Sequence, residues 1–191
     1  MKNAFKVAVL GSPRVGKTTI IDEAIYGNHY RLKNPYEPTS EDIYCAMVEY
    51  DKNSREKIFL YDYGGMETLN IDAIKMCLSF CDAFLVVFSI NDKESFMMAV
   101  QIKKNIEKLK DKKDIPIVLV ANKMDKINEA VINLEEIRKW VAQEKVKFIE
   151  VSATDRKSIS ECFIYLASNI IFLSKPSFSR KSKTGSLQLE L

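Results

Sequence analysis

Eight consecutive residues hold the densest chemistry in the chain: Gly11-Ser12-Pro13-Arg14-Val15-Gly16-Lys17-Thr18, which fit GxxxxGK[ST]. In that pattern the glycines let backbone N–H groups wrap a phosphate, and the helix N-terminus that follows adds positive potential. Lys17 is placed to reach the β- and γ-phosphates and Thr18 to offer a hydroxyl to Mg²⁺, with Thr19 in the same turn. An ordinary glycine-rich turn needs none of the last three. Further on, Asp62-Tyr63-Gly64-Gly65-Met66-Glu67 fits DxxG. Asp62 is the candidate to hold Mg²⁺ through water, and the Gly65 N–H to contact a γ-phosphate. Thr39, in the polar stretch Tyr36-Glu37-Pro38-Thr39, is the candidate to reach Mg²⁺ when a triphosphate is bound; a surface-turn threonine is the competing reading.

A second group of residues could read a base. Asn122-Lys123-Met124-Asp125 fits NKxD. A carboxylate at Asp125 can accept hydrogen bonds from both N1–H and the 2-amino group of guanine, whereas adenine would leave it unpaired. Downstream, Ser152-Ala153-Thr154 can bring the Ala153 N–H towards the guanine O6. Tyr30, after Asn28-His29, is a candidate to pack on the guanine edge, against a mobile surface tyrosine as the alternative. Together these motifs specify guanine-nucleotide binding, with GTP or GDP and Mg²⁺ as ligands.

Such residues act only if the fold gathers them. Val-, Ile- and Phe-rich runs at 5–10, 43–50, 57–62, 83–89, 115–121 and 147–152 predict six strands, and helix-period stretches at 17–26, 71–80, 92–110, 134–144 and 158–173 predict five helices. Runs as continuously apolar as Phe84-Leu85-Val86-Val87-Phe88 suit a parallel sheet covered on both faces. The alternation indicates an α/β, doubly wound P-loop nucleotide-binding fold. Only Asp51 to Glu56 joins the second and third strands, too short for a crossover helix, so that pair should be an antiparallel hairpin. The phosphate motif then follows the first strand, DxxG ends the third, and NKxD ends the fifth, at the edge of the sheet where open α/β folds bind ligands.

Composition narrows the field further. At 191 residues with 47% hydrophobic and 29% charged, the chain is one globular domain, expected over residues 1–173, with a disordered basic tail over 174–191. That tail carries Lys175, Arg180, Lys181 and Lys183 against Glu190, which accounts for the whole net charge of +3. The body is balanced, so no nucleic-acid-binding surface is expected. Cys45, Cys77, Cys81 and Cys162 lack CxxC spacing and sit in apolar segments, reading as reduced thiols in a cytoplasmic protein, with Cys77 and Cys81, which would share a helix face, as core residues. One histidine, His29, leaves Ser-His-Asp and Cys-His catalysis without its parts.

No run approaches about 20 apolar residues, and neither Met1-Lys2 nor Leu189-Glu190-Leu191 offers a lipidation motif, so no stable membrane anchor is expected. Arg180-Lys181-Ser182-Lys183 reads first as a solubilising segment, with weak docking on anionic lipid or a nuclear address as the alternatives. Lys103, Lys104, Lys108, Lys110, Lys112 and Lys113, interleaved with Glu107, Asp111 and Asp114, read as a solvated helix face, with a surface for an acidic partner as the alternative.

Four nucleotide motifs in this order, with a hairpin between the second and third strands, resemble the Ras-like small GTPases over residues 5–173. Within that superfamily, Tyr26-Gly27-Asn28-His29, Glu41-Asp42-Ile43-Tyr44, Lys112-Lys113, Glu144-Lys145-Val146 and Thr154-Asp155-Arg156-Lys157 resemble the κB-Ras group of NF-κB inhibitor-interacting proteins. That resemblance implies two partners, IκB-type inhibitors of NF-κB and the RalGAP complex. It also exposes departures. Pro13 and Arg14 stand where Ras-like loops keep glycine, and Pro13 fills the path of a GAP arginine finger while removing an N–H. Arg14 reads as solvent-pointing, with phosphate binding in cis as its alternative. Met66 stands where the superfamily has the glutamine that orients the attacking water, and a thioether donates no hydrogen bond.

The leading expectation is therefore an atypical GTP-binding signalling protein with slow hydrolysis that works through partners. A cycling GTPase with its own GAP, in which adjacent Glu67 orients the water, is the alternative. A scaffold indifferent to nucleotide is the third reading and has the least support.

Overall fold

The computed structural model describes residues 4–28, 33–51, 54–110 and 114–174. Among them six strands form one sheet: β1 (Phe5–Leu10), β2 (Glu41–Asp51), β3 (Ser54–Tyr63), β4 (Ala83–Ser89), β5 (Ile117–Asn122) and β6 (Lys147–Glu150). The spatial order is β2-β3-β1-β4-β5-β6. β2 and β3 pair antiparallel, and every other neighbouring pair is parallel. Among the described residues five long α-helices accompany the sheet, α1 (Lys17–Ile25), α2 (Ile71–Phe80), α3 (Lys93–Leu109), α4 (Leu134–Gln143) and α5 (Arg156–Ser174), with a short 3₁₀ turn at Met124–Glu129 that the sequence periodicity did not foretell. Six residues of polar and apolar type without a repeat give no periodic signal there.

Alternation along each central strand divides the core in two. Val7 and Val9 of β1, Leu85 and Val87 of β4 and Val118 and Val120 of β5 join Ile20 and Ile21 of α1 and Ile159, Cys162 and Leu166 of α5. Their neighbours Ala8, Leu10, Phe84, Val86, Phe88, Leu119 and Ala121 point the other way, joining Ile74 and Cys77 of α2, Ile102 and Ile106 of α3 and Ile137 of α4. Both faces are covered, which explains why these strands read as unbroken apolar runs. Each Val, Leu, Ile or Phe among them contributes about 1.5–3 kcal/mol by leaving water.

Helix starts follow local chemistry. Asn70 accepts from the Ala73 N–H at 3.0 Å, Asp92 from the Ser95 N–H at 3.0 Å, and Asn133 from the Glu135 N–H at 3.1 Å, satisfying first-turn donors of α2, α3 and α4. The caps set where each helix begins and therefore where the preceding strand end opens.

Two differences from the sequence reading have physical causes. The β2–β3 ladder runs beyond its apolar part, through Val48↔Glu56 and Glu49↔Arg55 to Asp51↔Ser54, leaving only residues 52–53 between the strands. Backbone pairing carries the ladder past the last apolar residue, and Arg55 Nε donates to Glu49 Oε2 at 2.9 Å across it. Lys103 does not lie on a solvated face: it is 1% exposed, its ammonium paired with Glu107 at 3.0 Å and with Glu144, and 5.7 Å from the Trp140 ring centroid. Burial pulls this lysine down, but the hydrogen bonds to Glu144 and Glu107 outweigh it and the net direction is up. A lysine stem spans the apolar gap between α3 and α4 while its head meets two carboxylates.

Candidate functional site

The loop between β1 and α1 is shaped by close approach. A Cβ on Gly11 would meet the Val87 carbonyl oxygen at 2.1 Å, and one on Gly16 would meet Asn122 Nδ2 at 2.4 Å. Gly16, at φ 95, is the N-cap of α1 and brings no side chain to the helix end, leaving first-turn N–H groups for another acceptor. Arg14 adopts φ 60, a left-handed conformation that costs an ordinary side chain.

Lys17, 6% exposed, lies over this loop and donates to the Gly11 carbonyl at 3.2 Å and the Ser12 carbonyl at 3.0 Å. Burial lowers its pKa to about 8 against the opposing pull of the Asp62 carboxylate. A buried cation held by two carbonyls needs little rearrangement to meet a phosphate.

Three oxygen-bearing side chains from separate elements converge beside it. Thr18 Oγ1 is 2.8 Å from Thr39 Oγ1 and donates to Asp62 Oδ2 at 2.5 Å, and Asp62 is fully buried at the end of β3. Two hydroxyls and a carboxylate are hard oxygen donors, the chemistry that a small divalent cation such as Mg²⁺ takes. The residues fit that ion, with Thr18 and Thr39 as candidates for direct contact and Asp62 for contact through water.

The DxxG segment folds onto the phosphate loop. Gly64 N–H donates to the Ser40 carbonyl at 2.8 Å and Met66 N–H to the Gly11 carbonyl at 3.1 Å. A Cβ on Gly65 would lie 2.3 Å from both Cα and N of Pro13, so the proline ring and the glycine backbone occupy adjoining space. Met66 is 7% exposed and belongs to the same buried cluster as Leu10 and Ile74, whereas Glu67 beside it is exposed.

At the other end, strands β5 and β6 fix a second set of groups. Asn122 Nδ2 donates to the Val15 carbonyl at 2.8 Å, tying β5 to the phosphate loop across 107 residues of sequence. Ser152 Oγ donates to Asp125 Oδ1 at 2.5 Å and lies 2.7 Å from Thr154 Oγ1, while Thr154 N–H donates to Ser152 Oγ at 3.1 Å. Met124 N–H donates to the Val151 carbonyl at 3.1 Å, which keeps the two loops in register. Lys123 sits at φ 69, and burial followed by the Lys126 charge lowers its pKa.

Between these ends runs a cleft of about 310 Å³. Of the residues selected from the sequence, Arg14, Gly16, Lys17, Thr18, Thr19, Thr39, Gly65, Asn122, Lys123, Asp125, Ala153 and Thr154 line it. Gly11, Ser12, Pro13, Val15, Asp62 and Ser152 stand behind that lining and hold it through the contacts above. Tyr30 and the tail from residue 175 lie outside the described residues. The structure adds Asn34, Pro35, Tyr36, Glu37, Tyr63 and Lys126 to the wall. Tyr36 and Glu37 lie in the polar stretch before Thr39 and Tyr63 in the DxxG segment, while Asn34, Pro35 and Lys126 gave no signal. A volume of this order suits a small organic ligand.

A family model for the Ras family matches residues 6–172. NF-kappa-B inhibitor-interacting Ras-like protein 1 of Homo sapiens is 40% identical over 190 residues, covering 97% of this chain and 98% of that protein. NF-kappa-B inhibitor-interacting Ras-like protein 2 of Mus musculus is 40% identical over 191 residues, covering 98% and 99%. Protein 1 of Danio rerio is 36% identical over 187 residues, covering 96% of each chain.

Proposed function

The chain belongs to the Ras family, and from that premise we propose that it is a guanine-nucleotide-dependent switch that hydrolyses GTP slowly and acts by binding partners. Membership implies GTP and GDP as ligands. The cleft supports an assignment of its two ends: Lys17 and the backbone of residues 11–18 for the phosphates, Asp125, Asn122 and Ala153 for guanine. Bound there, Mg²⁺ would neutralise phosphate charge, held by Thr18, Thr39 and Asp62.

One observation carries the slow-hydrolysis reading. Met66 follows the DxxG glycine with its side chain buried among apolar residues, so it offers neither a donor nor an acceptor to a water at the phosphate end. Pro13 packed against Gly65 supports the same reading, because it takes up space through which an arginine from another protein would pass. Exposed Glu67 favours the alternative of a cycling enzyme with its own GAP.

The relatives' names record interaction with NF-κB inhibitors. With 40% identity along nearly the whole length, we assign this chain an IκB-type partner as well, and the RalGAP complex as a second partner by resemblance to the κB-Ras group. In a cytoplasmic setting the contacting surfaces would include the stretches around 36–43 and 63–71, which border the phosphate end of the cleft.

The deciding measurement identifies the co-purifying nucleotide and follows single-turnover decay of bound GTP with Mg²⁺. We expect a guanine nucleotide and a rate below the roughly 10⁻⁴ s⁻¹ of unassisted Ras. Decay as fast as that value or faster, abolished by Glu67→Ala, would replace the slow switch with the cycling enzyme.

A further inference from the structure

Arg14 occupies a place where the backbone is in the left-handed region, at φ 60, and where a glycine would sit without strain. Its guanidinium carbon stands 5.0 Å from the centroid of the Tyr36 ring. Both residues line the cleft, one from the phosphate loop and one from the segment that leads into β2. Tyr36 is 53% exposed, so no packed core holds the ring in that position. The Arg14 cation lies over its face.

The segment carrying Tyr36 is constrained elsewhere too. Pro35 and Pro38 flank it and limit its φ angles, and Thr39, three residues on, meets Thr18 at 2.8 Å. The stretch 35–39 is thus fastened to the phosphate-loop side at two points, a hydroxyl contact beside the cation site and a guanidinium–ring contact at the mouth. A ligand lying along the loop would have the strap across its phosphate end.

We propose that Arg14 and Tyr36 form a latch that closes the phosphate end of the cleft, making Arg14 a positioning residue that slows nucleotide release by holding Tyr36 in place. The inference rests on the guanine-nucleotide reading above. Arg14 acts through the ring, the contact its guanidinium makes in the structure; its in-plane N–H donors stay open to phosphate, and the double variant below separates the two roles. Opening the strap costs the cation–π contact, so release is slower than it would be with the strap free.

The test uses the full chain loaded with fluorescent GDP in the presence of Mg²⁺ and chased with excess unlabelled GDP. Arg14→Gln and Tyr36→Ala should each speed release by about three- to tenfold, the range a single cation–π contact supports. The double variant should release no faster than the faster single, since both remove one contact. Tyr36→Phe, which keeps the ring and loses only the hydroxyl, should release at the wild-type rate. Multiplying effects in the double variant would overturn the latch and make Arg14 a direct phosphate ligand. Unchanged release from Arg14→Gln, or Tyr36→Phe behaving like Tyr36→Ala, would also overturn it. A wild-type chain that retains no labelled guanine nucleotide overturns both the latch and the functional reading beneath it, whereas the other negative outcomes leave that reading standing.

Discussion

At the Asp125 end of the cleft, the polar groups are tied to backbone and to Ser152, which stands behind the lining. Ser152 fixes the Asp125 carboxylate, Thr154 fixes Ser152, and Asn122 ties β5 to the Val15 carbonyl. At the Thr18 end, candidate ligand-binding groups hold one another: Thr18 meets Thr39 and Asp62, and Lys17 meets carbonyls of its own loop. The difference is mechanical. Groups oriented by the frame keep their geometry whatever is bound and so suit recognition of one base. Groups that satisfy one another must exchange partners when phosphate and cation arrive, and each exchange can move the segment that carries the group. On the proposed guanine-nucleotide reading, recognition and switching are separated along one cleft.

Asp125→Ala is the largest expected break in that comparison. Removing the carboxylate should lower affinity for GTP and GDP alike by about 10²-fold or more, with the preference for guanine over adenine nucleotides lost, as titration with both bases would show. An equal loss for the two phosphorylation states is the signature of a frame-held end. If GTP binding fell much further than GDP binding, the separation of roles would be wrong.

Thr39→Ala sharpens the other side. It should weaken GTP binding by about tenfold with Mg²⁺ present, weaken GDP binding much less, through the loosened strap alone, and preserve base preference. The GTP-to-GDP affinity ratio, measured at low and high Mg²⁺, reads this directly. A variant that shifted both nucleotides equally would place Thr39 in the frame and not among the switching groups.

The smallest effect lies away from the cleft, where Lys103 joins α3 to Glu144 after α4. The hydrogen bond from Lys103, with its charge, holds the Glu144 carboxyl below its ordinary value of 4.5. A carboxyl depressed in the folded state contributes stability that is complete above the ordinary value and lost as pH falls through the lowered one. Acid unfolding followed by circular dichroism should therefore show a steeper loss below about pH 4.5 in the wild type than in Glu144→Gln. Base preference and the GTP-to-GDP ratio should not change in that variant, because this pair positions helices and not the ends of the cleft.

Much of this is legible in the sequence alone. GxxxxGK[ST], DxxG and NKxD each fall at a strand end because glycines, lysine and carboxylates are informative only beside the apolar runs that place them. The strand count, the five helices and the antiparallel β2–β3 pair follow from period and linker length. Lys103 misled, since a lysine among lysines and glutamates has the pattern of a wet face until Trp140 and Glu144 are brought over it. Met66 was identified by what it lacks, but its burial with Leu10 and Ile74 depends on how the DxxG segment docks. Tyr36 stood in the sequence as a neighbour of Thr39, and only the chain's return over the loop sets its ring beside Arg14.

The sequence by itself determined the alternation of elements, the Ras-like order of motifs and the residue types at each strand end, because period, glycine and charge are local properties of the chain. Tertiary structure decided the contacts between groups far apart in sequence: Asn122 with Val15, Thr18 with Thr39 and Asp62, Gly65 with Pro13, Arg14 with Tyr36. These depend on strand order and on the path of connecting segments, which no local pattern encodes. Whether a polar side chain belongs to the frame or exchanges partners is settled by which distant backbone or side chain reaches it first.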